Sequence, residues 1–177
     1  MNGKTFQPGS IASSEELMAW SLAIEKEAVE RFTDLADVME IHNNHEVADL
    51  FRKLAEIEGL HVNNVNQASG DMQLPAIQSW AFEWEDGESP EGGVMEEAHY
   101  LMHPWHAIQL AIRGEQRAVS FFNHVATASS NEKLTAMALE LVAEEEEHVA
   151  LLEDWLKRYP EPEEGWDDDP DPPYMQE

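Results

Sequence analysis

The sequence predicts an all-α protein, a four-helix bundle with one long crossover between its second and third helices. Three observations lead there. Four segments carry apolar residues at three- and four-residue steps, the period of a helix with one buried face. The stretch between the second and third segments, residues 70–103, loses that period and gathers glycine, proline and tryptophan. The first pair of helical segments also matches the last pair, residue type for residue type, at fixed offsets. Two helices, a crossover and two more helices is the plan of a bundle with one long connection.

The first helix is expected over residues 14–42, with Met18, Leu22, Phe32, Leu35 and Met39 on one stripe. Ser13 and Glu16 stand at capping-box spacing before it. "HNNH" breaks the chain and offers Asn43 and Asn44 as turn or N-cap residues. The second helix is expected over 45–68, with Gly70 marking its end. In the crossover, "SWAFEWEDGESPEGG" holds two tryptophans and a phenylalanine, so Trp80, Phe82 and Trp84 are expected to anchor it against the bundle. A short helix is expected over 94–100. Pro104, a good first-turn residue, opens a third helix reaching Ala128. Ser129 and Glu132, again at capping-box spacing, start a fourth reaching Tyr159. These elements form one bundle domain over residues 1–160. Residues 161–177 are proline-rich and acidic, cannot continue a helix, and lack the apolar content to fold alone, so an extended tail is expected.

Composition narrows the chemistry. No run approaches the eighteen apolar residues of a membrane span, and mean hydropathy is −0.50. The amino terminus has no basic stretch followed by an apolar one, which makes a cytoplasmic location the expectation. The chain has no cysteine, which excludes disulfides, thiolate zinc sites, iron–sulfur clusters and a rubredoxin-type iron centre. With 37 acidic and 10 basic residues the net charge is −27, which repels nucleic acid and anionic membrane and favours cations. Any metal site must be built from carboxylate and imidazole.

The repeat says which carboxylates. Glu25, Ala28, Phe32 and Ala36 share offsets with Glu115, Ala118, Phe122 and Ala126. Leu54, Glu58 and His61 share offsets with Leu141, Glu145 and His148. That selects Glu145 from the run "EEEEH" and Glu25 over Glu27. Each selected glutamate lies on its helix's apolar stripe, because residues three, four or seven apart share a face. Four inward carboxylates are costly unless paired or metal-bound. His61 and His148 each follow a glutamate by three, placing imidazole beside carboxylate. Two divalent cations balance the four charges, and oxygen–nitrogen ligation without sulfur suits iron or manganese, with zinc or cobalt able to substitute.

These motifs, "EKEAVERF" and "EQRAVSFF" for the single-glutamate helices and "LAEIEGLH" and "LVAEEEEH" for the Glu-x-x-His helices, resemble the ferritin-like di-iron carboxylate superfamily, in its rubrerythrin-type branch without a rubredoxin domain. The ligand plan is that of the di-iron bundles. The resemblance covers residues 14–159. It implies two iron ions, with Glu25 and Glu115 as terminal ligands, Glu58 and Glu145 bridging, and His61 and His148 binding one ion each. It also implies a homodimer, dioxygen or hydrogen peroxide as the oxidant, and an external electron donor. The chain departs from rubrerythrin in lacking a cysteine-rich module. Phe32 and Phe122 stand where tyrosine is common, and Ala118 replaces an additional glutamate. The departures bear on peroxidase activity and leave metal binding untouched.

A lone Glu-x-x-His in an acidic helix is ordinarily surface decoration, whereas two of them, each joined to an inward glutamate at repeated offsets, form a ligand set. The same reasoning sets aside His42, His45, His103, His106 and His124 as caps, packing or surface residues. The function expected is a di-iron oxidoreductase, acting as a ferroxidase or peroxidase. The alternative is a non-enzymatic iron carrier or helical interaction module.

Overall fold

The computed structural model describes residues 11–77 and 98–168. Four helices carry the fold: α1 (Ser14–Ile41), α2 (His45–Ser69), α3 (Pro104–Ala128) and α4 (Glu132–Leu156). No strand occurs among the described residues. α1 packs along α2 and α3 along α4, while slimmer contacts join α2 to α3 and α1 to α4. The result is the four-helix bundle expected from the sequence. The crossover aromatics Trp80, Phe82 and Trp84 lie outside the described residues, as does most of the expected short helix. Its last residues, from Ala98 to Tyr100, are not helical.

Local chemistry explains the helix ends. Ser13 Oγ accepts the Glu16 N–H at 3.1 Å, while the Glu16 carboxylate accepts from Ala12 N–H at 2.7 Å, one residue before the cap. Asn43 takes a positive φ of 60° in the turn between α1 and α2, a conformation asparagine tolerates better than most residues. Asn44 precedes α2 but turns its side chain elsewhere. Its amide donates to the carbonyls of Tyr100 and Met102, at 3.1 and 2.8 Å, and so ties the α1–α2 turn to the approach to α3. At α4 the cap is Asn131 and not Ser129. Asn131 Oδ1 accepts from the N–H groups of Lys133 and Leu134, and Ser129 Oγ accepts the Asn131 N–H one step earlier. α4 ends at Leu156, short of Tyr159, because its last turn tightens into bonds from Arg158 N–H to Trp155 and from Tyr159 N–H to Leu156.

The buried apolar residues fall into two clusters. One joins Ala28–Met39 of α1, Val47–Leu54 of α2, Ala107–Ile112 of α3 and Leu152 of α4. The other joins Leu17–Ile24 of α1, Ala118–Ala126 of α3 and Leu134–Val142 of α4. The later half of α1 thus lies with the early halves of α2 and α3 and with the end of α4, so α1 runs parallel to α4 and α2 runs parallel to α3. Between the clusters the buried residues turn polar, and this layer holds Glu25, Glu58, Glu115 and Glu145.

The acidic segment after α4 is not extended throughout. Residues 164–167 form a turn, with Gly165 at a φ of 84°. The turn lays half-buried Trp166 against the bundle end, its ring centroid 3.9 Å from that of His106. Residues 169–177 lie outside the described part.

Candidate metal centre

Each helix pair brings three donors to the polar layer. α1 supplies Glu25, and α2 supplies Glu58 and His61. α3 supplies Glu115, and α4 supplies Glu145 and His148. All four glutamates are buried, between 4% and 6% exposed. In the acidic run of α4 only Glu145 points inward, while Glu144, Glu146 and Glu147 are exposed. The cause is helical period: Leu141 and Leu152 flank Glu145 on the inward face at steps of four and seven.

The halves repeat one geometry. His61 Nδ1 lies 3.0 Å from Glu58 Oε2 and 3.7 Å from Glu25 Oε2. His148 Nδ1 lies 3.2 Å from Glu145 Oε2 and 3.5 Å from Glu115 Oε2. The two imidazoles then stack face to face across the bundle, centroids 3.8 Å apart and planes within 3°. Among the described residues, Glu25, Glu58 and His61 form one group whose ligand atoms all lie within 4.8 Å of one another, and Glu115, Glu145 and His148 form the other. All six residues singled out from the sequence are therefore brought together.

Burial and the crowding of carboxylates shape the proton affinities of the layer. Burial pushes the Glu25 carboxyl up to about 8; the hydrogen bond to His61 opposes this, and the charges of Glu145 and Glu58 add to it. For His61 burial acts to lower the pKa, but hydrogen bonds and charges from Glu25 and Glu58 together outweigh it and carry it up to about 10. Both groups are therefore shifted toward their protonated forms. Two triads of buried carboxylates and a half-buried imidazole, hard oxygen and borderline nitrogen donors with no sulfur, fit iron or manganese.

A family model described as Rubrerythrin matches residues 16–83. A solved structure of an uncharacterized conserved protein from Magnetospirillum magnetotacticum MS-1 is 34% identical to this chain, with a TM-score of 0.63. The match covers 86% of this chain and 99% of that one. The chain belongs to the rubrerythrin family. No curated protein matches it. Rubrerythrins are ferritin-like di-iron proteins, and each of the two triads in this chain could hold a metal ion.

Of the histidines set aside, His45 pairs with exposed Glu40 at 3.0 Å, and His124 is exposed. His42 lies against Tyr100. His106 Nδ1 accepts the His103 N–H at 3.0 Å, making both part of the start of α3. The sequence reading overlooked His99, whose ring stacks on Tyr100 and meets the edge of Trp166.

Proposed function

We propose that this rubrerythrin-family protein is a di-iron carboxylate oxidoreductase that reacts two bound ferrous ions with dioxygen or hydrogen peroxide. The observation that carries this reading is the pair of buried Glu–Glu–His triads meeting at the stacked rings of His61 and His148. In this reading Glu25 and Glu115 would each serve one ion, Glu58 and Glu145 would be shared between the two, and His61 and His148 would each supply one nitrogen.

When bound, the ferrous pair supplies two electrons to the oxidant. The protein's own groups set the conditions. Glu25 and His61 must release the protons they hold in the metal-free state, so loading is accompanied by proton release. The apolar clusters on either side of the layer limit water around the ligands. Phe32 and Phe122, both buried, stand at the family's tyrosine positions and are not practical one-electron donors. Continued turnover therefore relies on an external electron donor. A homodimer belongs to the same reading.

Anaerobic ferrous titration followed by rapid mixing with oxygen or peroxide tests the proposal. The expected result is about two irons bound per chain, an oxidation phase that breaks near two equivalents, and a stall until reductant or excess ferrous iron is added. Iron bound at two per chain but inert to both oxidants would instead support a carrier. No binding after ferrous loading would support an interaction module.

A further inference from the structure

Where α3 begins, three imidazoles surround one indole from the segment after α4. The Trp166 ring centroid lies 3.9 Å from that of His106, with the planes tilted by 38°. His99 and His103 stand nearly perpendicular to the same indole, at 5.5 and 6.5 Å. Trp105 meets the His106 ring edge-on at 5.2 Å, so His106 sits between two indoles. The chain reaches this position through the turn at Gly165, whose carbonyl accepts the Asp168 N–H at 3.1 Å. Trp166 also packs against the first apolar cluster. Asp167, Asp168, Asp169 and Asp171 follow it in sequence, so the indole anchors an acidic segment.

Hydrogen bonding commits two of the three rings to the neutral form. His106 Nδ1 accepts the His103 N–H at 3.0 Å, and His99 Nδ1 accepts the Leu101 N–H at 3.2 Å. A backbone N–H only donates, so each Nδ1 must carry a lone pair, which an imidazolium lacks. Protonating His106 would remove a bond at the first turn of α3, where the helix's own partial positive charge already opposes a cation. Burial and the neighbouring His103 act in the same direction and hold the His106 pKa below its ordinary value. The charges of Asp167 and Glu161, on the segment after α4, act against them and are outweighed. Across Trp166 stands His99, on the approach to α3. The indole face would attract one imidazolium, but charging several rings around one indole sets like charges together.

We infer that the imidazoles at the start of α3 form an acid-released clasp: neutral rings hold Trp166 and the acidic segment on the bundle end, and their protonation lets both go. The docked state binds fewer protons than the released one, because its His106 resists protonation. Docking is therefore complete above 6.5, the ordinary value for histidine, and is lost as pH falls below it. None of the six residues of the metal centre takes part, so the clasp stands apart from the metal-site reading. Release uncovers the start of α3 and frees the acidic segment to extend from the bundle.

The test uses the full chain labelled with 5-fluorotryptophan and followed by fluorine NMR from pH 7.5 to pH 5. The Trp166 resonance is assigned by its absence in Trp166→Phe. The ratio of docked to released Trp166 should fall about tenfold in wild type over that range, while the Trp20 and Trp155 signals stay in place. A concerted move of all resonances would report unfolding and overturn the inference. His106→Asn and His99→Asn keep an oxygen able to accept the backbone N–H and cannot gain a proton. Together they should reduce the fall to less than about twofold. Asp167→Asn leaves every ring in place but removes a charge that favours the imidazolium, so Trp166 should be released at higher pH than in wild type. Wild-type Trp166 that stays docked at pH 5, or docks more firmly there, overturns the inference. So does an undiminished fall in the double variant. Should the double variant fail to dock Trp166 at pH 7.5, Asp167→Asn decides alone, and an unchanged or lower release pH in it overturns the inference.

Discussion

Two regions of the bundle gather imidazole, and they do opposite things with it. In the ligand layer, His61 and His148 each face two buried carboxylates and stack on one another. At the bundle end, His99, His103 and His106 face an indole, a phenol and backbone N–H groups. Burial raises the proton affinity of the Glu25 carboxyl in the first region. In the second it lowers that of His106, with the neighbouring His103 acting in the same direction. Histidine by itself identifies neither region. What fits one to hold a cation is buried carboxylate, and what makes the other a clasp is the aromatic face of Trp166.

The widest separation between the regions should appear on removing the charge. Glu58→Ala combined with Glu145→Ala is expected to abolish metal loading and the rise in melting temperature that metal gives wild type. Calorimetry with and without manganous ion checks this, and an undiminished rise in the double variant would place the metal elsewhere.

The next largest effect is that of pH on the metal-free protein. The Glu25 carboxyl keeps its proton up to about 8 when folded but only to its ordinary 4.5 when unfolded. The folded state therefore binds more protons, and stability falls as pH rises across that interval. His61 acts in the same direction. Its contribution is complete below 6.5 and is lost as pH climbs toward 10. Between pH 6 and pH 9 the metal-free melting temperature should drop by about 5–10 °C, while metal-loaded protein changes much less. A metal-free curve flat across that range would contradict the proton-filled site.

Trp166→Ala should cost about 1–2 kcal/mol, a shift of a few degrees in melting temperature, with metal stoichiometry unchanged. That outcome would confirm the bundle end as a structural clasp, whereas lost metal would join the two regions functionally. The smallest effects are expected from Glu146→Ala and Glu147→Ala. These neighbours of Glu145 are exposed, and each should change stability by less than about 0.5 kcal/mol and leave loading intact.

The ligand layer was legible because it rests on period alone. An inward glutamate is recognised by apolar residues three, four or seven positions away, and the repeat supplied a second reading of each position. Helix starts were less legible. Asn131 and Ser129 are both good capping residues within two positions, and only backbone geometry decides between them. Asn44 was correctly placed before α2, yet its bonds reach residues more than fifty positions away, which no local pattern encodes. Trp166 was hidden by its surroundings. Proline and aspartate on both sides read as tail, and the docking of the indole depends on where α3 begins in space.

The division of the bundle into two tightly packed hairpins also bears on how the protein is made. Contacts within α1–α2 and within α3–α4 are local along the chain, and local contacts form early and quickly. Each hairpin carries a complete Glu–Glu–His set. During synthesis the amino-terminal hairpin leaves the ribosome first, with Glu25, Glu58 and His61 already on one surface before His148 has been translated. The layer is thereby assembled from two half-sets that a docking step brings together, and the stacking of His61 on His148 marks the moment at which the two halves become one.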